Sequence, residues 1–166
     1  MSATKNKLPA AFSSHDHHHC TGDALKKADR ISREQGLRLT PVRRRALEIL
    51  LEEHRALGAY EVLERLAEEG FGSQPPVAYR ALEFLAEHGF AHRIRRLNAF
   101  TACLHPGKAH SPAFFICSHC NSVAEVPENE VRDALQKVAC GIEFAIDCMN
   151  VEIVGTCPNC SRGGAA

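Results

Sequence analysis

Two Cys-x-x-Cys pairs, Cys117-Ser-His-Cys120 and Cys157-Pro-Asn-Cys160, frame most of the C-terminal part of this 166-residue chain. Four thiolates at that spacing close a tetrahedral shell around one zinc ion and leave no position for water or substrate, so the pairs read as a structural site. The gap between them is longer than in a compact zinc ribbon, so the metal would pin the first and last strands of a domain together. The competing reading is a redox pair of thioredoxin type. Such a pair usually stands alone at a helix start, whereas here two pairs frame one segment.

Size explains why this segment needs help. After the connector "LHPGKAHSP", the runs "AFFIC", "VAEV", "FAIDC" and "VEIVG" read as strands and "PENEVRDALQKVAC" as a helix, with Val131, Leu135 and Val138 on one side. An α/β unit of about sixty residues is marginal alone and calls for a metal, a partner subunit or both. Cys140 and Cys148 follow the pattern of core positions. With 45% hydrophobic and 24% charged residues the chain reads as soluble and globular, and no stretch approaches the roughly 20 apolar residues of a membrane span. The N-terminus lacks an apolar run suited to secretion, so a cytoplasmic location is expected, where paired cysteines are ligands more often than bridges.

The first hundred residues follow a different pattern. Residues 1–22 lack periodicity and read as a disordered, His-containing lead-in. Asp23 caps a helix running to about Gln35 with Gly36 as its stop, and Thr40-Pro41 caps a second with Val42, Ala46, Ile49 and Leu50 on one face. "AYEVLERLAEEG" makes a third, with Tyr60, Leu63, Leu66 and Ala67 in register. "QPPVAYRALEFLAEHG" makes a fourth, carrying Ala78, Ala81, Leu82 and Leu85 inward. The stretches flanking Leu97-Asn98-Ala99 form a hairpin. Helices joined by tight turns and followed by a hairpin make a winged helix-turn-helix over residues 23–103, an architecture that mostly reads DNA. The plainer alternative is a small helical domain that binds no nucleic acid. Charge leans the same way: residues 26–96 hold fourteen Lys/Arg against eleven Asp/Glu, and residues 97–166 four against seven.

A second set of metal-ligating types straddles the connector: His92 at the wing, Cys103 after it, His110 within it and Glu125 beyond the first cysteine pair. Singly each is ordinary, a surface histidine, a buried thiol, a solvated carboxylate. Together they offer two imidazoles, a thiolate and a carboxylate on both sides of one hinge. The run "HDHHHC" supplies His15, His17, His19 and Cys20 as candidates for a third site, against the plainer reading of a histidine run binding adventitious metal.

The strings "GLRLTPVRRRALEIL", "GAYEVLERL", "PPVAYRALEFLAEHGFAHRI", "FFICSHCNSVAEV" and "CPNC", in this order and spacing, resemble the ferric uptake regulator family of metal-sensing repressors and, within it, the zinc-sensing branch. The resemblance covers about residues 23–160. It implies an α+β protein: an N-terminal winged helix-turn-helix domain, a hinge over 104–113, a small α/β dimerisation domain with a structural zinc over 114–160, and a tail over 161–166. It further implies structural zinc on Cys117, Cys120, Cys157 and Cys160, regulatory zinc on His92, Cys103, His110 and Glu125, and DNA contacts from Tyr60 and Arg80. The implied partners are a second copy of the chain and a roughly palindromic double-stranded operator. The cofactor is zinc, two ions per subunit.

Two departures bear on this. The iron and peroxide branches carry a histidine-rich run before the first cysteine pair, where this chain reads "AHSPAFFIC", and a thiolate-containing ligand set suits tetrahedral zinc better than ferrous iron. The family's Pro-Pro-Thr-Val-Tyr-Arg reads Val77 and Ala78 here, which puts a hydroxyl cap or phosphate contact in question. The expected function is a zinc-responsive repressor of zinc uptake genes, with no catalysis. An iron or peroxide sensor of the same family and a zinc module binding protein rather than DNA remain as rivals. A zinc hydrolase or deaminase is disfavoured because there is no His-x-Glu motif.

Overall fold

The computed structural model describes residues 12, 17–53, 55–107, 112–127 and 129–163, with the backbone alone for 17–20 and 127. The N-terminal half runs α1 (His17–Glu34), α2 (Pro41–Glu52), β1 (Leu57–Gly58), α3 (Ala59–Glu68), α4 (Pro75–Glu87), β2 (Ala91–Ile94) and β3 (Ala99–Ala102). The C-terminal half runs β4 (Pro112–Cys117), β5 (Val123–Pro127), α5 (Asn129–Gly141), β6 (Val151–Gly155) and α6 (Pro158–Ser161).

Local chemistry sets several ends. Thr40 caps α2, its hydroxyl accepting the Arg43 N–H at 3.5 Å, with Pro41 in the first turn. Glycines 36, 70 and 89 follow α1, α3 and α4 with φ of 66°, 82° and 72°, the left-handed conformation that stops a helix at little cost without a Cβ. The helices bury Leu47, Ile49, Leu50, Val62, Leu66, Leu82 and Leu85 in one core, each contributing about 2 kcal/mol by leaving water.

The strands form two three-stranded sheets, of order β1-β3-β2 and β5-β4-β6. In the second, β4 pairs antiparallel with β5 and parallel with β6. A smaller cluster joins the halves: Ala56, Ile94 and Ala99 from the first sheet region meet Phe114, Ile116 and Val123 from the second, with Leu97 against them. An isolated bridge between Arg55 and Ser122 crosses the same seam.

The structure corrects several expectations. Helix α1 starts at His17 and not at Asp23, because the helix end packs on α2 and the Thr21 hydroxyl donates to the Leu51 carbonyl at 3.5 Å. Residues 17–22 are therefore helical and not part of a structureless lead-in; residues 1–11 and 13–16 lie outside the described set. Helix α3 buries Ala59, Val62, Leu63 and Leu66, leaving Tyr60 66% exposed and off the inward stripe. Residues 144–148 form no strand: the Phe144 N–H closes the end of α5 on the Ala139 carbonyl at 2.8 Å. Within its own chain α5 buries only Ala139, so Val131, Leu135 and Val138 point outward. Cys140 and Cys148 are exposed, not core. The two-residue β1 was not foreseen, being shorter than any alternation can reveal.

Candidate functional site

The parallel pairing of β4 and β6 brings the four cysteines together. Cys117 ends β4 directly opposite Gly155, which ends β6, so the turns after both strands leave the sheet on the same side. The first turn, through Ser118, His119 and Cys120, is closed by the Asn121 N–H on the Cys117 carbonyl at 3.0 Å, with Asn121 at φ 56°. It is anchored to the second by the Ser118 N–H and hydroxyl, which donate to the Gly155 carbonyl at 2.8 and 3.1 Å. In the second turn Cys157 caps α6, its sulfur accepting the Cys160 N–H at 3.4 Å.

All four sulfurs lie within 4.8 Å of one another, and Cys120 Sγ is 3.8 Å from Cys157 Sγ. A tetrahedron with zinc–sulfur bonds of about 2.3 Å has edges of about 3.8 Å, so this donor set fits zinc. Burial pushes the Cys117 thiol up, but the N–H groups of Cys157, Cys120 and His119 outweigh it and bring it down to about 5. The turns therefore favour the thiolate, the form that binds metal, at Cys117, while the Cys157 sulfur first among its neighbours pushes the Cys160 thiol up to about 12.

A second cluster lies at the seam between the halves. His92 comes from β2, Cys103 follows β3, and Glu125 comes from β5, where it pairs with Phe114. Their ligand atoms lie within 4.8 Å of one another. His92 Nε2 is 3.7 Å from Glu125 Oε2, and the His92 ring lies 5.2 Å from that of Phe114. Glu125 also accepts the Leu104 N–H at 3.0 Å, which holds its carboxylate over the chain leaving Cys103. Burial, helped by the Glu125 charge, pushes the Cys103 thiol up to about 12. The thiol thus keeps its proton at neutral pH, and a metal held there would have to displace it. One sulfur, one nitrogen and one oxygen suit a tetrahedral zinc that takes its remaining ligand elsewhere. His110, proposed as that ligand, lies outside the described residues. So do His15 and the side chains of His17, His19 and Cys20.

The surface proposed to meet nucleic acid lies across α3 and α4. Arg80 is exposed on α4, and the exposed Tyr60 stands edge-on to its neighbour Tyr79, with centroids 6.3 Å apart. The Arg43 guanidinium sits 3.6 Å over the Phe84 ring, tying α2 to α4. The cap of α4 is Gln74, followed by Pro75 and Pro76. Val77 is therefore the third residue of the first turn, its N–H donating to the Gln74 carbonyl at 2.9 Å, and a hydroxyl there would not be the cap residue. Ala78 is fully buried.

Sequence reasoning missed Glu152 of β6, which reaches the hairpin turn at 95–98, and Asn150, which donates to the Glu152 carboxylate. A single carboxylate on a short strand carries no signal that it bonds residues more than fifty positions away.

Comparison with known proteins points in one direction. Residues 34–154 match the model of the ferric uptake regulator family. The zinc uptake regulation protein of Escherichia coli (strain K12) is 34% identical over 141 residues, covering 84% of this chain and 82% of that protein. A zinc uptake regulator complexed with zinc and DNA superposes with a TM-score of 0.82 at 33% identity, over 88% of this chain and 98% of that one. Holo XcZur superposes at 0.76 and 35% identity, over 84% of this chain and 98% of its own.

Proposed function

Because this chain belongs to the ferric uptake regulator family, we propose that it is a zinc-responsive, DNA-binding transcriptional repressor of zinc uptake genes that acts as a homodimer. As a member of a family of regulators it is not an enzyme. The observation that carries the reading is the convergence of His92, Cys103 and Glu125 within 4.8 Å at the seam between the two halves of the chain. A ligand set divided between two halves couples its occupant to their relative placement, whereas a set within one half does not.

In this reading residues 23–103 form the winged-helix DNA-binding domain; 104–113 are the hinge; 114–160 form the dimerisation domain; 161–166 are a tail. Cys117, Cys120, Cys157 and Cys160 hold the structural zinc, and His92, Cys103, Glu125 and His110 hold the regulatory one, two ions per subunit. Zinc supplies a cross-link in the first place and a charge bridging the halves in the second. The thiol of Cys103 favours zinc over ferrous iron.

The protein's own residues do the rest. His92 lies on β2, so fixing its ring beside Glu125 fixes the wing hairpin, and with it α4, against the second sheet. Helix α4 enters the major groove with Arg80 at a base edge and Tyr60 beside it, and the heads of the dimer must match groove faces about 34 Å apart. The second subunit covers the apolar surface that α5 and the sheet leave open, including Val138, Ile142 and Phe144, exposed by 62%, 69% and 63%. Patches of that kind mark protein interfaces. No helix among the described residues is long and apolar enough to cross a membrane, and we place the protein in the cytoplasm with its DNA.

The test is zinc content per subunit before and after mild chelation, alongside operator mobility shift at each stage, on protein purified without oxygen. Two ions, one of them removable together with DNA binding, support the reading. Operator binding indifferent to chelation, or restored by ferrous iron and not by zinc, overturns it.

A further inference from the structure

The hairpin turn at 95–98 is attached to β6 by one carboxylate. The Arg95 N–H donates to Glu152 Oε1 at 2.7 Å and the Arg96 N–H to Oε2 at 3.0 Å. The Asn150 side-chain amide donates to Oε1 at 2.9 Å and holds the group in that pose. The turn itself is closed by the Asn98 N–H on the Arg95 carbonyl at 3.1 Å, with Asn98 at φ 46°. Leu97, between them, rests on the apolar cluster that joins the halves.

Consecutive backbone N–H groups in a turn make an anion-binding concavity. Here Glu152 fills it, so the backbone donors of the turn are spent inside the protein while the side chains of Arg95 and Arg96 stay exposed. The placement of the halves that results is close to that of the regulator bound to zinc and DNA, with which the chain superposes at a TM-score of 0.82.

We propose that Glu152 is a positioning residue for DNA recognition: its carboxylate latches the wing turn to β6 and fixes the direction in which Arg95 and Arg96 meet the phosphate backbone. The proposal rests on the function proposed above. The latch and the His92–Cys103–Glu125 cluster join the same two bodies, the β2–β3 hairpin and the β5-β4-β6 sheet. Each therefore favours the arrangement that the other needs, and weakening one weakens the other by up to the same factor. Acceptance of charge-assisted bonds by both oxygens is the strong form of such a contact. Glutamine at this position would keep one acceptor and turn a donor toward the Arg96 N–H.

The experiment uses the full-length dimer with Glu152→Gln, and Asn150→Ala as a milder variant that leaves both carboxylate acceptors in place. Amide hydrogen exchange at Arg95 and Arg96 in the zinc-loaded, DNA-free protein should accelerate by about tenfold in Glu152→Gln, and less in Asn150→Ala. The zinc concentration that half-saturates operator binding should rise by up to the same factor, with dimer mass and the chelation-resistant zinc unchanged. Unchanged exchange and an unchanged zinc midpoint in Glu152→Gln overturn the latch. Loss of the dimer in that variant would also overturn it, because the residue would then be structural. Wild-type operator binding that ignores zinc would defeat the functional reading alone, and the exchange measurement would still decide the latch.

Discussion

Replacing Cys103 by serine should change how zinc affinity depends on pH, and the size of the change follows from the burial of the thiol. Cys103 is 2% exposed and its thiol is pushed up to about 12, first by burial and then by the Glu125 charge. At pH 8 only a very small fraction of such a thiol is ionised, so metal binding there works against deprotonation on the order of 5 kcal/mol. Each pH unit returns about 1.4 kcal/mol of it, because the proton leaves as the metal binds. Between pH 7.5 and 9, histidines are above their ordinary pKa of about 6.5 and contribute little. Apparent zinc affinity at the exchangeable site should therefore rise about thirtyfold over that window in the wild type. In Cys103→Ser it should be weaker and nearly flat, since no comparable proton is displaced. The assay is competition with a chromophoric chelator at several pH values, on dimer whose cysteine-cluster zinc is already in place. Equal slopes in the two proteins would show that the Cys103 proton is not displaced and that the sulfur is not a ligand. The metal-free protein offers a check of sign: a thiol raised in the folded state gives stability that is present below its unfolded pKa of about 8.5 and fades as pH climbs toward 12.

Three further outcomes are expected. Cys117→Ser or Cys160→Ser should lose the chelation-resistant zinc and the dimer, since structural zinc contributes on the order of 10 kcal/mol to folding small modules; a dimer with unchanged melting would contradict this. Arg80→Ala should weaken specific operator binding by about 1 to 3 kcal/mol and relax base preference at one position, whereas a uniform loss across sequences would place Arg80 on a phosphate and no loss would place the wrong helix in the groove. Val138→Asp, on the open face of α5, should convert dimer to monomer by sedimentation while leaving the N-terminal half folded, and a persistent dimer would move the interface elsewhere.

The local features of this chain were open to reading because each is set by neighbours in sequence. Thr40-Pro41 starts a helix through its own hydroxyl and ring, Gly36, Gly70 and Gly89 stop helices through their own φ, and Asn98 turns a hairpin. The cysteine pairs were legible because two ligands three positions apart need only one turn to converge. Residue type and position about the connector grouped His92, Cys103, His110 and Glu125 as a possible ligand set, and resemblance to a known family then gave that set a regulatory role.

The sequence misled wherever the answer depended on what else packs nearby. The stripe of Val131, Leu135 and Val138 was rightly seen as apolar, but apolarity does not say whether the cover comes from the same chain. Residues 144–148 look like a strand, but the Phe144 N–H is taken by the Ala139 carbonyl as the chain leaves α5, and the run itself does not announce that. The inward face of α3 was off by one position because Tyr60 is apolar enough to join a stripe and is nevertheless left outside. Only the tertiary structure decided that Glu125 reaches the chain at Leu104 and that Glu152 reaches the turn at Arg95 and Arg96. A carboxylate bonds across whatever gap the packing of two sheets leaves it, and the width of that gap is a property of the assembled fold, which no short stretch of sequence contains.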